Sequence, residues 1–399
     1  MIIILKKLGK SSSDSMEYIS SALAGATAAA LLYKRASAAR PIELGELGFG
    51  CWQLACTGEG NANYWGVEFD DELATTLITL AIDSGVTYFD TAEDYQSGKS
   101  EEQLGRVLKG LSPARRAKLV IGSKIPPNAC HEVEAHLTQT LERLQVDSIG
   151  LYMVHWPIDV NSMGHFAGGH ASFGKSATVA ESDVPSTANA FKELARLQRA
   201  GKIKHVGVSN FGVQQLQDAL ATGCTIAVNE LSFSLLFRAA EFEIIPFCKA
   251  HGIQVVAYSP LLQGLLAGTT TAETVTVSRA RSRHFAGTRE NSRHGESGHE
   301  DLLFATLAKI SAIAADVGVT MAELALAYPL RKGASTVIAG FTKAKYVAMN
   351  ARGAALAKTL DQTVIDRLDE ATEELKQAMG SNADLWQGVV AGKQTGRIR

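Results

Sequence analysis

Four side chains able to hold or move a proton fall at the ends of three successive apolar runs. Asp90 and Tyr95 lie in TYFDTAEDYQSG, Lys124 closes VIGSK, and His155 follows LYMV. A phenol with its ordinary pKa of ~10 keeps its proton at neutral pH and releases it reluctantly. A lysine cation beside it favours the phenolate and is expected to lower that pKa toward the working range. A carboxylate would hold the lysine charged and in place, and an imidazole can donate a hydrogen bond to a carbonyl oxygen or tune the phenol. Together they make an oxyanion pocket with a proton source, suited to a ketone or aldehyde that accepts a hydride. Singly, each has an ordinary role as a turn cap, a solvated lysine or a partner for a buried backbone group. Their joint occurrence on consecutive strand ends favours the catalytic role.

The elements that must position these residues repeat as apolar run, polar loop and amphipathic helix from residue 41 onward. Eight runs are expected as strands: 47–52, 87–89, 119–123, 149–154, 205–208, 226–229, 254–258 and 336–338. They are apolar or β-branched on both faces, as parallel strands covered by helices are. Leu73, Leu77 and Leu80 predict one core-facing stripe, and Val133, Leu137, Leu141 and Leu144 another. Ser100 with Gln103, and Thr320 with Glu323, fit capping boxes, and Ser186 fits an N-cap. An open doubly wound sheet would carry a GxGxxG turn after its first strand. Only Gly48-Phe49-Gly50 approaches it, so the expected fold is a (β/α)8 TIM barrel with its site at the C-terminal mouth. Two connections exceed ordinary turns, 157–185 after the fourth strand and 268–299 after the seventh, and both can cover that mouth. An extra helix is expected at 362–379, followed by a tail, 381–399, that looks loose apart from Trp386.

A net charge of −2 leaves no basic surplus for a general nucleic-acid binder. With 46% apolar and 20% charged residues, the chain can bury a sizeable core. Its five cysteines are scattered without metal-ligand spacing, so reduced thiols in a cytoplasm-like compartment are expected. His165 and His170 lack further ligands, so no metal is expected. Gly98-Lys99-Ser100 resembles the end of a P-loop, but Glu93 stands where that motif needs glycine.

Residues 1–40 form an N-terminal extension ahead of a barrel domain at 41–380. Tyr18–Tyr33 is uncharged and Ala-rich, with Asp14 and Glu17 before it and Lys34 and Arg35 after it. That charge order is wrong for a secretory signal. At ~1.5 Å per residue a helix there is shorter than the ~30 Å hydrocarbon core. Organelle targeting, a marginal membrane anchor through 18–33 and a surface-docked helix all stay open, as does the oligomeric state.

FDTAEDY, GSK and VHWP, with AGKIKHVGVSNF, YSPLLQGLLAG and VIAGFTKAKYVAMN, resemble the ordered motifs of the aldo-keto reductases over roughly residues 44–360. The resemblance implies a (β/α)8 barrel, NADPH or NADH, and reversible reduction of a carbonyl to an alcohol. It assigns the catalytic tetrad to Asp90, Tyr95, Lys124 and His155. Ser209 and Asn210 would bind the nicotinamide carboxamide, and Tyr258 would stack on its ring. Leu261, Gln263 and Gly264 would lie along the pyrophosphate, and Asn350 would meet the adenine. Where the family usually has glutamine the chain has Glu230, which can still accept from the carboxamide but cannot donate, so that contact is expected to be weakened or reorganised. Tyr346 and Met349 also depart from the pattern. Lys343, with Arg279, Arg281, Arg283 and Arg289, is expected to favour the 2′-phosphate of NADPH. Expected pocket walls are Trp52, Trp65 and Trp156, with Phe233 and the 157–185 loop as lid, around a small carbonyl or alcohol substrate. Relatives similar to potassium-channel beta subunits offer a second function, a cofactor-sensing partner protein with little turnover, in which the N-terminal segment would dock.

Overall fold

The computed structural model describes residues 41–56, 68–167, 178–276, 280–289, 292, 294–387, 389–390, 393–394 and 397–399. The expectations for residues 1–40, Trp65, His170 and Arg279 lie outside them.

Eight parallel strands close on themselves in chain order: β1 (Leu47–Gly50), β2 (Tyr88–Asp90), β3 (Val120–Ile125), β4 (Ile149–Val154), β5 (Ile203–Ser209), β6 (Val228–Ser232), β7 (Gln254–Tyr258) and β8 (Thr336–Gly340). Closure is made by β8 against β1, with Gly48 opposite Ile338 and Gly50 opposite Gly340. The protein is the (β/α)8 barrel that the eight runs predicted. Because side chains alternate along a strand, each run feeds two cores. Phe49, Phe89, Val154, Val208 and Val337 point outward into the layer shared with the helices. Tyr88, Met153, Val228 and Val256 are equally buried and stand on the other face, inside the barrel. Room for the Tyr88 ring depends on two glycines. A Cβ at Gly48 would come within 2.7 Å of that ring, and one at Gly122 within 2.6 Å of its hydroxyl.

The helices follow their apolar stripes with one correction. Val133, Leu137, Leu141 and Leu144 are all buried on the helix Val133–Leu144. On Asp71–Asp83, however, the buried face is Ala74, Leu77, Ile78 and Ala81, and Leu80 is exposed. Leu80 lies on the solvent side of the 3.6-residue period that those four define.

Two of the three expected caps form. Ser186 accepts from Asn189 N, and Thr320 and Glu323 make a reciprocal box at the start of Met321–Arg331. The third does not. The helix Lys99–Gly110 begins after Gly98, at φ 87°, without a side-chain cap. Ser100 instead donates to Cys51 O at 2.7 Å, and Gln103 bonds Ala55 N and Asp71. Both side chains are buried, so they serve distant polar groups that would otherwise be orphaned in the interior.

The long connection after β4 is not all loop, since Val160–Ala167 is helical. The final helix, Gln362–Met379, is where it was expected. Several of the described residues beyond it are tied down rather than loose. Arg283 donates to the carbonyls of Met379, Asn382 and Asp384. Asp384 and Arg397 form a two-bond ion pair, 0% and 1% exposed at their side chains. Gln215 Nε2 donates to Arg397 O, and Arg399 N donates to Gln215 Oε1. Gly212 permits this approach, because a Cβ there would lie 2.3 Å from Arg399 O. Arg283 and Gln215 lie far from the tail in sequence, so its local composition did not disclose these bonds. Among the described residues no single helix is long and apolar enough to cross a membrane.

Candidate active site

The C-terminal strand ends open into a cavity of about 1100 Å³. Asp90 and Lys124 lie on the inward face at its base, and register explains why: Asp90 pairs with Gly122, two residues before Lys124. Lys124 Nζ donates to both Asp90 oxygens at 2.7 Å, to Thr91 O at 3.0 Å and to Tyr95 Oη at 3.4 Å. Tyr88 Oη donates to Asp90 Oδ1 at 3.1 Å. The loop that delivers Tyr95 takes left-handed backbone at Gln96 and Ser97, φ 50° and 54°, uncommon for residues with a Cβ. His155 stands across the cavity, its ring centroid 5.6 Å from that of Tyr95. Its Nδ1 meets Asp94 Oδ1 at 2.8 Å, which leaves Nε2 for the cavity. The structure thus brings the four expected residues together from three elements.

The electrostatics correct one expectation. Burial pushes the Tyr95 phenol well above its ordinary value, and Lys124, the largest opposing influence, does not reverse this. Asp90 and Glu230 add to the rise, so the proton stays on Tyr95. Burial works to lower the Lys124 pKa, yet Asp90, Glu230 and Tyr95 outweigh it and keep the ammonium charged. Glu230 is pushed up to about 8 by burial and by Asp90, against the pull of Lys124.

The remaining expected residues divide. Ser209, Asn210, Glu230, Tyr258, Leu261, Gln263, Gly264, Lys343 and Asn350 line the cavity, as do Trp52 and Trp156. Tyr258 Oη donates to Asn210 Oδ1 at 2.8 Å, and Asn210 Nδ2 reaches His155 O at 3.1 Å. Left-handed backbone recurs at Ser259, Leu262 and Gln263, where the loop after β7 bends around the opening. Phe233 is misplaced by the sequence reading. It is fully buried against Tyr328, with ring centroids 6.3 Å apart, because the side-chain alternation of β6 sends it outward into the layer shared with the helices. Of the loop arginines, Arg283 is spent on the tail and Glu296, and Arg289 on Glu300. Arg281 lines the cavity beside the Trp386 ring.

Four residues went unread in the sequence. Asp94 sits within the motif itself, next to Tyr95, and holds a histidine 61 positions away. Lys345 joins Lys343 on the cavity wall. Arg397 stacks its guanidinium 3.6 Å from the Trp156 ring centroid and is fixed there by Asp384. Among the described residues no cluster of three or more His, Cys, Asp or Glu is placed to hold a metal ion.

The sequence model of the Aldo/keto reductase family matches residues 46–373. The chain belongs to that family. It is an oxidoreductase that interconverts carbonyl compounds and alcohols with a nicotinamide cofactor. The chloroplastic pyridoxal reductase of Arabidopsis thaliana is 29% identical over 367 residues, 86% of this chain and 87% of that protein. The NADH-specific methylglyoxal reductase of Escherichia coli (strain K12) is 28% identical over 257 residues, 59% of this chain and 69% of its own. The structure of an aldo-keto reductase from Klebsiella pneumoniae in complex with NADPH shares the fold, with a TM-score of 0.56 and 23% identity over 81% of this chain and 89% of that one.

Proposed function

We propose that this aldo-keto reductase uses NADPH in preference to NADH, with Tyr95 as the proton donor to the oxygen of a small aldehyde or ketone. One observation carries the reading. Lys124 is clamped by both Asp90 oxygens and reaches Tyr95 Oη at the base of a cavity walled by Trp52 and Trp156.

A nicotinamide dinucleotide held by these residues would supply the hydride. Tyr95 holds its proton until negative charge grows on the substrate oxygen, then passes it over. The phenolate left behind faces the Lys124 ammonium, whose charge Asp90 maintains, so the cost of losing the proton is lowered where it arises. His155, fixed at Nδ1 by Asp94, offers Nε2 to the same oxygen. Trp52 and Trp156 exclude water and suit an apolar or aromatic carbonyl compound. The cavity is polar where a dinucleotide would need it. Glu230 Oε2 is buried and accepts no hydrogen bond from a protein donor, and a ligand amide could supply one. Ser209, Asn210 and Tyr258 surround it as the nicotinamide site, and Leu261, Gln263 and Gly264 follow as the pyrophosphate wall. Lys343 and Lys345, with Asn350 beyond them, supply cation and amide for a 2′-phosphorylated adenosine end.

Fluorescence titration with NADPH and NADH, followed by a panel of aldehydes and ketones, tests the reading. Tight binding of NADPH with oxidation on several carbonyls is the expected result. Tight binding with no turnover on any of them would instead favour a cofactor-sensing role.

A further inference from the structure

Lys124 stands between two carboxyl groups. Asp90 takes it at 2.7 Å with both oxygens, and Glu230 Oε1 lies 3.4 Å away on the other side. Both acids are buried, and Lys124 is fully so. Among the described residues, the remaining groups around Glu230 bring no second free cation. From β2 come Tyr88 and Asp90, from the loop after it Tyr95, and from β7 Tyr258, three phenols and an acid. β5 contributes the uncharged Ser209 and Asn210, and His155 after β4 is engaged by Asp94. Arg397, near Tyr258, is committed to Asp384.

Two buried acids beside one cation do not both ionise at small cost. Both Asp90 oxygens accept from Lys124, and Oδ1 also accepts from the Tyr88 hydroxyl. Glu230 has one long contact to Lys124 and otherwise meets Asp90, carboxyl to carboxyl, a bond that exists only if one of the two acids carries a proton. The proton therefore belongs to Glu230. A neutral carboxyl presents one O–H donor and one carbonyl acceptor, the same pair of functions as a primary amide.

We infer that Glu230 meets the cofactor's carboxamide as a neutral acid, so that a glutamate does the work of an amide side chain and makes cofactor affinity depend on pH. The inference rests on the nicotinamide site proposed above. Its sign follows from the geometry. With the proton on, Glu230 can donate to the carboxamide oxygen and accept from its nitrogen. With the proton off, the donor is lost and an uncompensated second anion faces the ligand. Burial places the change at about pH 8. Affinity should be flat below that value and fall toward tenfold per pH unit, roughly, above it.

The test compares the full chain with its Glu230→Gln variant. NADPH and NADH dissociation constants are measured by fluorescence from about pH 7 to about pH 9.5, the interval that brackets the transition. Wild type should lose about tenfold in affinity over its last pH unit, while the variant, which cannot ionise there, stays level. Calorimetry in two buffers of different ionisation enthalpy should show proton uptake on binding near pH 8 in wild type only. Glu230→Met, which neither donates nor accepts, should bind weakly throughout and gives a second, size-matched readout. Parallel pH profiles for wild type and Glu230→Gln overturn the inference alone. Failure of both proteins to bind either dinucleotide at any pH overturns the nicotinamide site and the inference with it.

Discussion

Two clusters of buried charge in this barrel are built from the same parts and behave in opposite ways. Against the final helix, Arg238, Lys332 and Lys376 interleave with Glu241, Asp369 and Glu373 around the Tyr328 ring. At the mouth, Lys124 faces Asp90 and Glu230 beside Tyr95. The first cluster has a cation for every carboxylate. Burial tends to raise the pKa of Glu241 and Asp369, but the bonds from Arg238, Lys332 and Lys376 win and hold both below the usual range. The second is one cation short, and burial together with that deficit keeps a proton on Glu230. Even the phenols differ in use. Tyr328 spends its hydroxyl on Asp369 and Glu241, whereas Tyr95 faces the cavity. Balanced charge fastens a helix, and unbalanced charge stores a proton that chemistry can use.

The largest effect that could break this contrast is on turnover. Tyr95→Phe should lower carbonyl reduction on the order of 10³-fold, with NADPH binding retained, as steady-state assays and fluorescence titration will show. If turnover persists within a few-fold, the mouth cluster is not the proton source. Next comes Arg238→Met, which leaves buried carboxylates short of a cation. Denaturant unfolding should register a loss of about 3–5 kcal/mol. A smaller and more telling effect concerns Glu230. An acid whose folded pKa is raised destabilises the fold progressively as pH climbs from its unfolded value toward its folded one. Thermal midpoints of wild type should therefore decline between about pH 5 and about pH 8 more steeply than those of Glu230→Gln. Identical slopes would put the missing cation elsewhere. Least of all should be Glu373→Gln at the half-exposed rim of the helix cluster, below about 1 kcal/mol by the same denaturant assay.

The parts of this architecture legible in the sequence are those whose cause is local. Strands announce themselves by short apolar runs, and the tetrad stands where such runs end, so Asp90, Tyr95, Lys124 and His155 could be placed without coordinates. Side chains whose partners come from elsewhere in the chain could not. Ser100 and Gln103 have the spacing of a cap, yet burial sent them to Cys51, Ala55 and Asp71. Phe233 follows a strand end like a pocket residue but packs into the outer core. Asp94 was in plain view beside Tyr95, and only the fold reveals that it faces His155. Glu230 was visible as a departure from the family pattern. Its nearness to Lys124, which turns a weakened contact into a proton-bearing one, is a matter of barrel geometry.

The clasp formed by Asp384, Arg397 and Gln215 bears on the order in which the molecule is assembled. Gln215 and Arg397 are 182 positions apart. On a ribosome, all eight strands emerge before the arginine that roofs Trp156 exists. Long-range closures of this kind come late and slowly, because loop entropy must be spent before any contact rewards it. The barrel can therefore complete its sheet while its mouth still gapes, and Trp156 stays uncovered until the tail swings back.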